Sequence, residues 1–194
     1  MDDFLLKIQD CLKKYKRKPR NVNYEKYKKV ASVIIPIVRL DDSYGILMTK
    51  RTNHLKNHSG EISFPGGSQD PEDRNLAETA LRELKEEIGI LEQHVKILGF
   101  LQNEFSVTYF TVKPYVAYIE DFNLCMLKPD PFEVEKVMFI PLNFFFDKKN
   151  QWKETWLRND EKHINFFYNY EGNIIWGLSG RIINIFTSAI RDCV

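Results

Sequence analysis

Glu83, Glu86 and Glu87 are the residues of this chain best suited to chemistry. On a helix that turns about 100° per residue, the three carboxylates fall within one arc of about 100°. Like charges this close repel, and a cation among them relieves the repulsion. An all-oxygen donor set suits Mg²⁺ or Mn²⁺. Just upstream runs Ser63-Phe64-Pro65-Gly66-Gly67, a rigid turn with bare backbone at both glycines. Without side chains there, backbone carbonyls can approach a metal or a substrate closely. Gly67 therefore joins Glu83, Glu86 and Glu87 in the candidate metal set, and Ser63 and Gly66 join the candidate substrate contacts. Lys50, Arg51 and His58 flank the turn as cationic donors for phosphate. Arg51 is the best of them, because its planar fork matches phosphate oxygens. Each feature has an ordinary alternative. LKEEIG alone is most often a solvated helix face, and Lys50 and Arg51 are as often plain strand-end charges. His54 and His58 stand at a zinc-like spacing only on a helix, whereas Ser59-Gly60 argues for a loop.

The glutamates need a helix, and the sequence supplies one. Ala77, Ala80, Leu81, Leu84 and Ile88 form an apolar stripe apart from the carboxylates. Asn75 with Glu78 reads as a capping box and Gly89 as a C-terminal cap, which predicts a helix over about 76–88. Before it, residues 2–16 have helical spacing, Pro19 breaks that pattern, and strands are predicted over 29–40 and 44–50 with a turn at Asp41-Asp42-Ser43. After it, strands are expected near 94–103, 108–120 and 137–140. A hairpin follows over 153–157 and 163–170, and a closing helix over 176–191.

Taken together, Arg82-Glu83-Leu84-x-Glu86-Glu87-Ile88-Gly89-Ile90 matches R-E-U-x-E-E-x-G-U, the core of the Nudix box, where U is a bulky aliphatic. The chain thus resembles Nudix hydrolases. The usual box reads G-x5-E-x7-R. Here the spacing from Gly67 to Arg82 is one residue longer, and Asp73 is the stand-in for the glutamate that orients the box arginine. The stretch from Leu47 to Gly67, with Lys50-Arg51, His58 and Ser63-Phe64-Pro65-Gly66-Gly67, resembles the second signature of the coenzyme A diphosphatase branch. Asp70-Pro71-Glu72-Asp73, Pro131-Phe132-Glu133-Val134 and Ile175–Arg181 also resemble that branch.

The resemblance implies an α/β Nudix fold, a mixed β-sheet sandwiched between helices, and hydrolysis of a pyrophosphate bond. It implies Glu83 and Glu87 as metal ligands, with Glu86 a third ligand or the positioner of bound water. Arg82 belongs to the catalytic set, and Glu86 and Glu104 are both candidates for general base. The implied cofactor is Mg²⁺ or Mn²⁺. The implied substrate is coenzyme A or a derivative, cut to 3′,5′-ADP and 4′-phosphopantetheine or its acyl form. Other nucleoside diphosphate derivatives, such as ADP-ribose or a dinucleotide, are the alternative within the class. A non-catalytic nucleotide-binding module is the alternative outside it. The resemblance covers about residues 30–190, which divides the chain into an N-terminal helix and basic linker (1–29) and a hydrolase domain (30–194).

The 194 residues suffice for one domain with a real core, and their 43% hydrophobic content fits a globular protein rather than a disordered one. No stretch approaches a transmembrane span, and MDDFLLKIQD is not a secretory signal. Cys11, Cys125 and Cys193 are odd in number and far apart, which predicts no disulfide framework and a cytoplasmic, reducing setting. Residues 1–30 carry 10 Lys/Arg against 4 Asp/Glu, leaving 18 against 23 in the rest. The basic run from Lys13 to Arg20 is read as a solvated helix face and exit; no nucleic-acid motif accompanies it, so a nucleic-acid partner is not expected. The oligomeric state stays open at this stage.

Overall fold

The computed structural model describes residues 1–16, 24–55, 58–158 and 161–193. Arg17, Lys18, Pro19 and Arg20 of the basic run, and Asn57, lie outside the described residues. The chain opens with α1 (Asp3–Lys14), capped by Asp2, whose side chain accepts from the Leu5 amide. Strands β1 (Lys29–Leu40) and β2 (Ser43–Arg51) form an antiparallel hairpin, followed by the short β3 (Ile62–Ser63) and β4 (Gly66–Ser68). The glutamate helix is α2 (Leu76–Ile88). Then come β5 (Val95–Phe100), β6 (Glu104–Phe105), β7 (Phe110–Ile119) and β8 (Val134–Pro141). A second sheet holds β9 (Gln151–Arg158), β10 (Glu161–Tyr170) and β11 (Asn173–Ile175), and α3 (Gly177–Ile190) closes the chain.

The main sheet is mixed. Strands β1 and β7 are parallel neighbours, whereas β2, β4, β5, β6 and β8 pair antiparallel. Side chains alternate across a strand, and β1 shows how that alternation divides the core. Ile34 and Val38 face α2 with Leu47, Ala80, Leu84, Ile88 and Ala117. Val33, Ile35 and Ile37 face the other way, into a core shared with α1 and α3. The result is the expected three-layer sandwich with the sheet in the middle. The helix expected as part of an N-terminal unit over 1–29 contributes Leu5, Ile8 and Leu12 to this core, each at most 1% exposed.

The cysteine expectation is corrected. Cys11 on α1 and Cys193 at the chain end are joined by a disulfide, with Cα atoms 6.5 Å apart and 182 residues between them in sequence. Packing of α1 beside α3 brings the two ends together, which spacing along the chain cannot reveal. Cys125 is the free, exposed thiol. No described helix is long and apolar enough to cross a membrane.

Candidate active site

Helix α2 runs over the bounds that its caps predict. Asn75 Oδ1 accepts from the Ala77 and Glu78 amides at 2.9 and 3.2 Å, and Gly89 ends the helix in the left-handed region. The capping box differs in one contact: the Glu78 carboxylate accepts from the Arg74 amide at 2.9 Å rather than from that of Asn75. The helix lies against β1 and β4, so its acidic side meets the glycine turn. Register holds that turn in place, with Ser32 opposite Gly67 and Val33 opposite Gly66. The close approach leaves no room for a side chain. A Cβ on Gly66 would meet the Ser32 carbonyl, and one on Gly67 would meet the Glu83 carboxylate.

The three glutamates are not equivalent. Glu87 is 3% exposed and lies beneath the turn. Its Oε1 faces the Gly66 amide at 3.5 Å, and its Oε2 accepts from Thr49 Oγ1 at 3.4 Å. Both contacts are long for a buried anion, so burial dominates and pushes the carboxyl up to about 8. Glu83, partly buried, is shifted upward for the same reason against the opposing charge of Arg82. Glu86 is exposed and accepts from Arg82 Nη1 at 2.8 Å. The same Nη1 reaches Glu83 Oε1 at 3.0 Å. Among the described residues, no group of three or more acidic, histidine or cysteine side chains converges as a ready cation cage. The Arg82 guanidinium pairs with Glu83 and Glu86. The donor chemistry still fits a hard divalent ion. A buried carboxylate with only long hydrogen bonds lies beside a second carboxylate pressed on bare backbone.

Arg82 is anchored from behind. Its Nε and Nη2 take both oxygens of Asp73 at 3.2 and 3.1 Å, and Nη2 also donates to the Ser68 carbonyl at 3.0 Å. This fork holds the Asp73 carboxyl at about 2, well below its ordinary value. Asp73 thus does the orienting that its position in the sequence suggests.

The structure distributes the other predicted residues unevenly. Arg51 reaches the site: Nη1 is 3.9 Å from Glu87 Oε1 and Nη2 is 3.9 Å from Glu133 Oε2. Its Nε is buried without a hydrogen-bond partner among the described residues. Ser63 lies beside Thr49, with hydroxyls 3.2 Å apart. Lys50 turns to Glu135 at 2.6 Å, and His58 turns to Glu61 at 2.9 Å. Glu104 is fully buried, and its Oε2 accepts from Arg181 Nε at 3.0 Å, which ties β6 to α3. Two contributors escaped the sequence reading. Thr49 is a fully buried hydroxyl that lies within the resembling stretch from Leu47 to Gly67, which gives it no role. Glu133 adds charge that raises both Glu83 and Glu87. In sequence it stands in Pro131-Phe132-Glu133-Val134, whose resemblance gives it no role.

With this geometry in hand, comparison with known proteins places the chain. Residues 28–160 match the NUDIX domain. The chain belongs to the Nudix family. It is 30% identical over 192 residues to an uncharacterized Nudix hydrolase, NudL, of Pectobacterium atrosepticum, covering 99% of this chain and 95% of that one. It is 35% identical over 160 residues to Nudix hydrolase 22, chloroplastic, of Arabidopsis thaliana, covering 80% of this chain but 53% of the plant protein. Among solved structures, a MutT/nudix family protein from Enterococcus faecalis superposes with TM-score 0.53 at 14% identity, over 91% of this chain and 66% of that one. That likeness concerns the Nudix fold alone. Nudix hydrolases generally use divalent ions such as Mg²⁺ or Mn²⁺.

Proposed function

We propose that this Nudix protein hydrolyses the pyrophosphate bond of nucleoside diphosphate derivatives, and that coenzyme A or its derivatives are its substrates. The observation that carries the hydrolase reading is the buried Glu87 carboxylate beneath Gly66, with Glu83 pressed on Gly67. In this reading Glu83 and Glu87, with the Gly67 carbonyl, hold Mg²⁺ or Mn²⁺. Such an ion supplies Lewis acidity that neutralises phosphate oxygens and lowers the pKa of a bound water. Arg51 binds a phosphate with donors that its carboxylate neighbours leave unsaturated at 3.9 Å. Glu86, exposed on the same helix, takes the proton of the attacking water at its carboxylate, and Arg82 orients it. Glu104, the other candidate, is engaged by Arg181 and fits a positioning role better. Glu133 extends the anionic rim and is a further candidate for proton transfer. The support for coenzyme A is the run from Leu47 to Gly67, together with Ile175–Arg181 at the start of the closing helix.

A hydrolysis screen with coenzyme A, dephospho-coenzyme A, ADP-ribose, NADH and diadenosine polyphosphates tests the assignment, with products separated chromatographically. Release of 3′,5′-ADP from coenzyme A at the highest kcat/KM is expected. Faster cleavage of ADP-ribose would move the assignment to the other nucleoside diphosphates. No cleavage of any of them with Mg²⁺ or Mn²⁺ would favour a nucleotide-binding module.

A further inference from the structure

The loop before β8 presents an unusual combination: tight fixation and an exposed aromatic ring. It is latched to the end of the glutamate helix, since the Asp130 amide donates to the Glu87 carbonyl at 3.0 Å and the Lys128 amide to the Ile88 carbonyl at 2.9 Å. Asp130 then folds the turn. Its side chain accepts from the Phe132 amide at 2.9 Å, and its carbonyl accepts from Glu133 and Val134 at 3.1 and 2.8 Å. On the opposite side Thr52 closes the clamp, its hydroxyl donating to the Phe132 carbonyl and its amide to the Glu133 carbonyl, both at 2.9 Å. Thr52 follows Arg51 directly, so the loop is pinned between the phosphate-binding candidate and the catalytic helix.

On this pinned turn the Phe132 side chain is 74% exposed, more than any other large hydrophobic residue described. Single exposed apolar residues are ordinary on protein surfaces. The fixation is what sets this one apart. Here the backbone on both sides of Phe132 is spent on hydrogen bonds, so the point from which the ring projects is fixed. One residue on, the Glu133 carboxylate lies 3.9 Å from Arg51 Nη2, beside the acidic site. The other large aromatic surface, around Trp152, Trp156 and Trp176, is also exposed but lies away from the described contacts of Glu83, Glu86 and Glu87 and has ring partners of its own. Both Trp152 and Trp156 donate to Glu154, and the rings pack around Phe167.

We propose that Phe132, projecting from this anchored turn, is the platform on which the nucleobase of the substrate stacks while Arg51 takes the adjoining phosphate. Every base offers a π-face, and a backbone already held in place lowers the ordering cost of that contact. The proposal rests on the nucleoside diphosphate part of the reading above and not on coenzyme A in particular. It makes Phe132 a specificity residue that favours nucleotide over base-free diphosphates.

Binding of two unreactive probes with Mg²⁺ tests it: α,β-methylene-ADP, which has a base, and methylenediphosphonate, which has none. Phe132→Ala is expected to weaken the ADP analogue about tenfold, from the scale of base–aromatic stacking. Methylenediphosphonate should stay within about twofold, and Phe132→Tyr should recover nucleotide affinity. Because the ring is exposed, both variants should melt like the wild type, which separates binding from folding. Unchanged nucleotide affinity in Phe132→Ala would overturn the platform. So would an equal loss for both probes, or a wild type that does not bind the ADP analogue. If the stacking signature is present but coenzyme A is not cleaved, the coenzyme A assignment alone fails.

Discussion

At the scale of single residues, Glu87 concentrates the tension of the site. Burial raises its carboxyl from 4.5 to about 8 in the folded chain. Between those values the folded protein holds a proton that the unfolded chain releases. The unfolded state therefore binds fewer protons, and stability falls as pH rises through the window. Metal-free protein followed by thermal melting from pH 5 to 8 should lose stability toward pH 8 through this group. Glu87→Gln should flatten that slope and melt no lower than the wild type at pH 8. The same variant should lose on the order of 10²-fold in kcat with Mg²⁺, since it removes an anionic donor from the transition-state clamp. Near-normal turnover would show that Glu87 is no ligand. Arg51 bears on the substrate itself. If it meets the 3′-phosphate, Arg51→Ala should lower kcat/KM for coenzyme A roughly 10- to 150-fold more than for dephospho-coenzyme A, from the about 1.5–3 kcal/mol of a charge-assisted contact. Equal losses for both substrates would assign it to the shared pyrophosphate.

At the scale of elements, the site is a junction between one helix and one turn. The cap at Asn75 sets where α2 begins, and the pairing of β4 with β1 sets where the glycines lie. Gly67 tests the junction cleanly, because its φ is not in the left-handed region and alanine suits the backbone. The added methyl would push the Glu83 carboxylate away. Gly67→Ala should leave the fold intact yet cost on the order of 10²-fold in kcat, the scale of a misplaced catalytic group. A variant that unfolds instead would show that the turn is needed for the core.

At the scale of the whole molecule, the chain ends meet on the face of the sheet opposite α2. Helix α1 buries Leu5, Ile8 and Leu12 there, and the disulfide from Cys11 to Cys193 clamps it beside the end of α3. Closing so long a loop should stabilise the fold by about 2–4 kcal/mol. Thiol titration of the denatured, unreduced protein should find one free cysteine, Cys125. Reduction, or Cys193→Ser, should lower the melting temperature by several degrees. Three titrating thiols and no response to reductant would remove the clamp.

The spacing of residues along the chain was enough to locate helix α2, the long strands β1, β2, β5, β7 and β8 of the main sheet, the glycine turn and the family, but not the short β3, β4 and β6. Those features arise from local rules: the 3.6-residue period, the cap residues and the alternation of β1. Asp73 was legible for the same reason, standing nine residues before Arg82, where the motif counted from Gly67 places its arginine-orienting carboxylate. Tertiary structure alone decided which charges are free and which are spent. It turned Lys50 to Glu135 and His58 to Glu61, and it buried Glu104 at Arg181, 77 residues away in sequence. It brought Thr49 and Glu133 to the glutamates and joined Cys11 to Cys193. Apart from the His58–Glu61 pair, three residues apart in one loop, these are contacts between elements distant in sequence. Their energies depend on burial and distance in the folded chain, which no local spacing encodes.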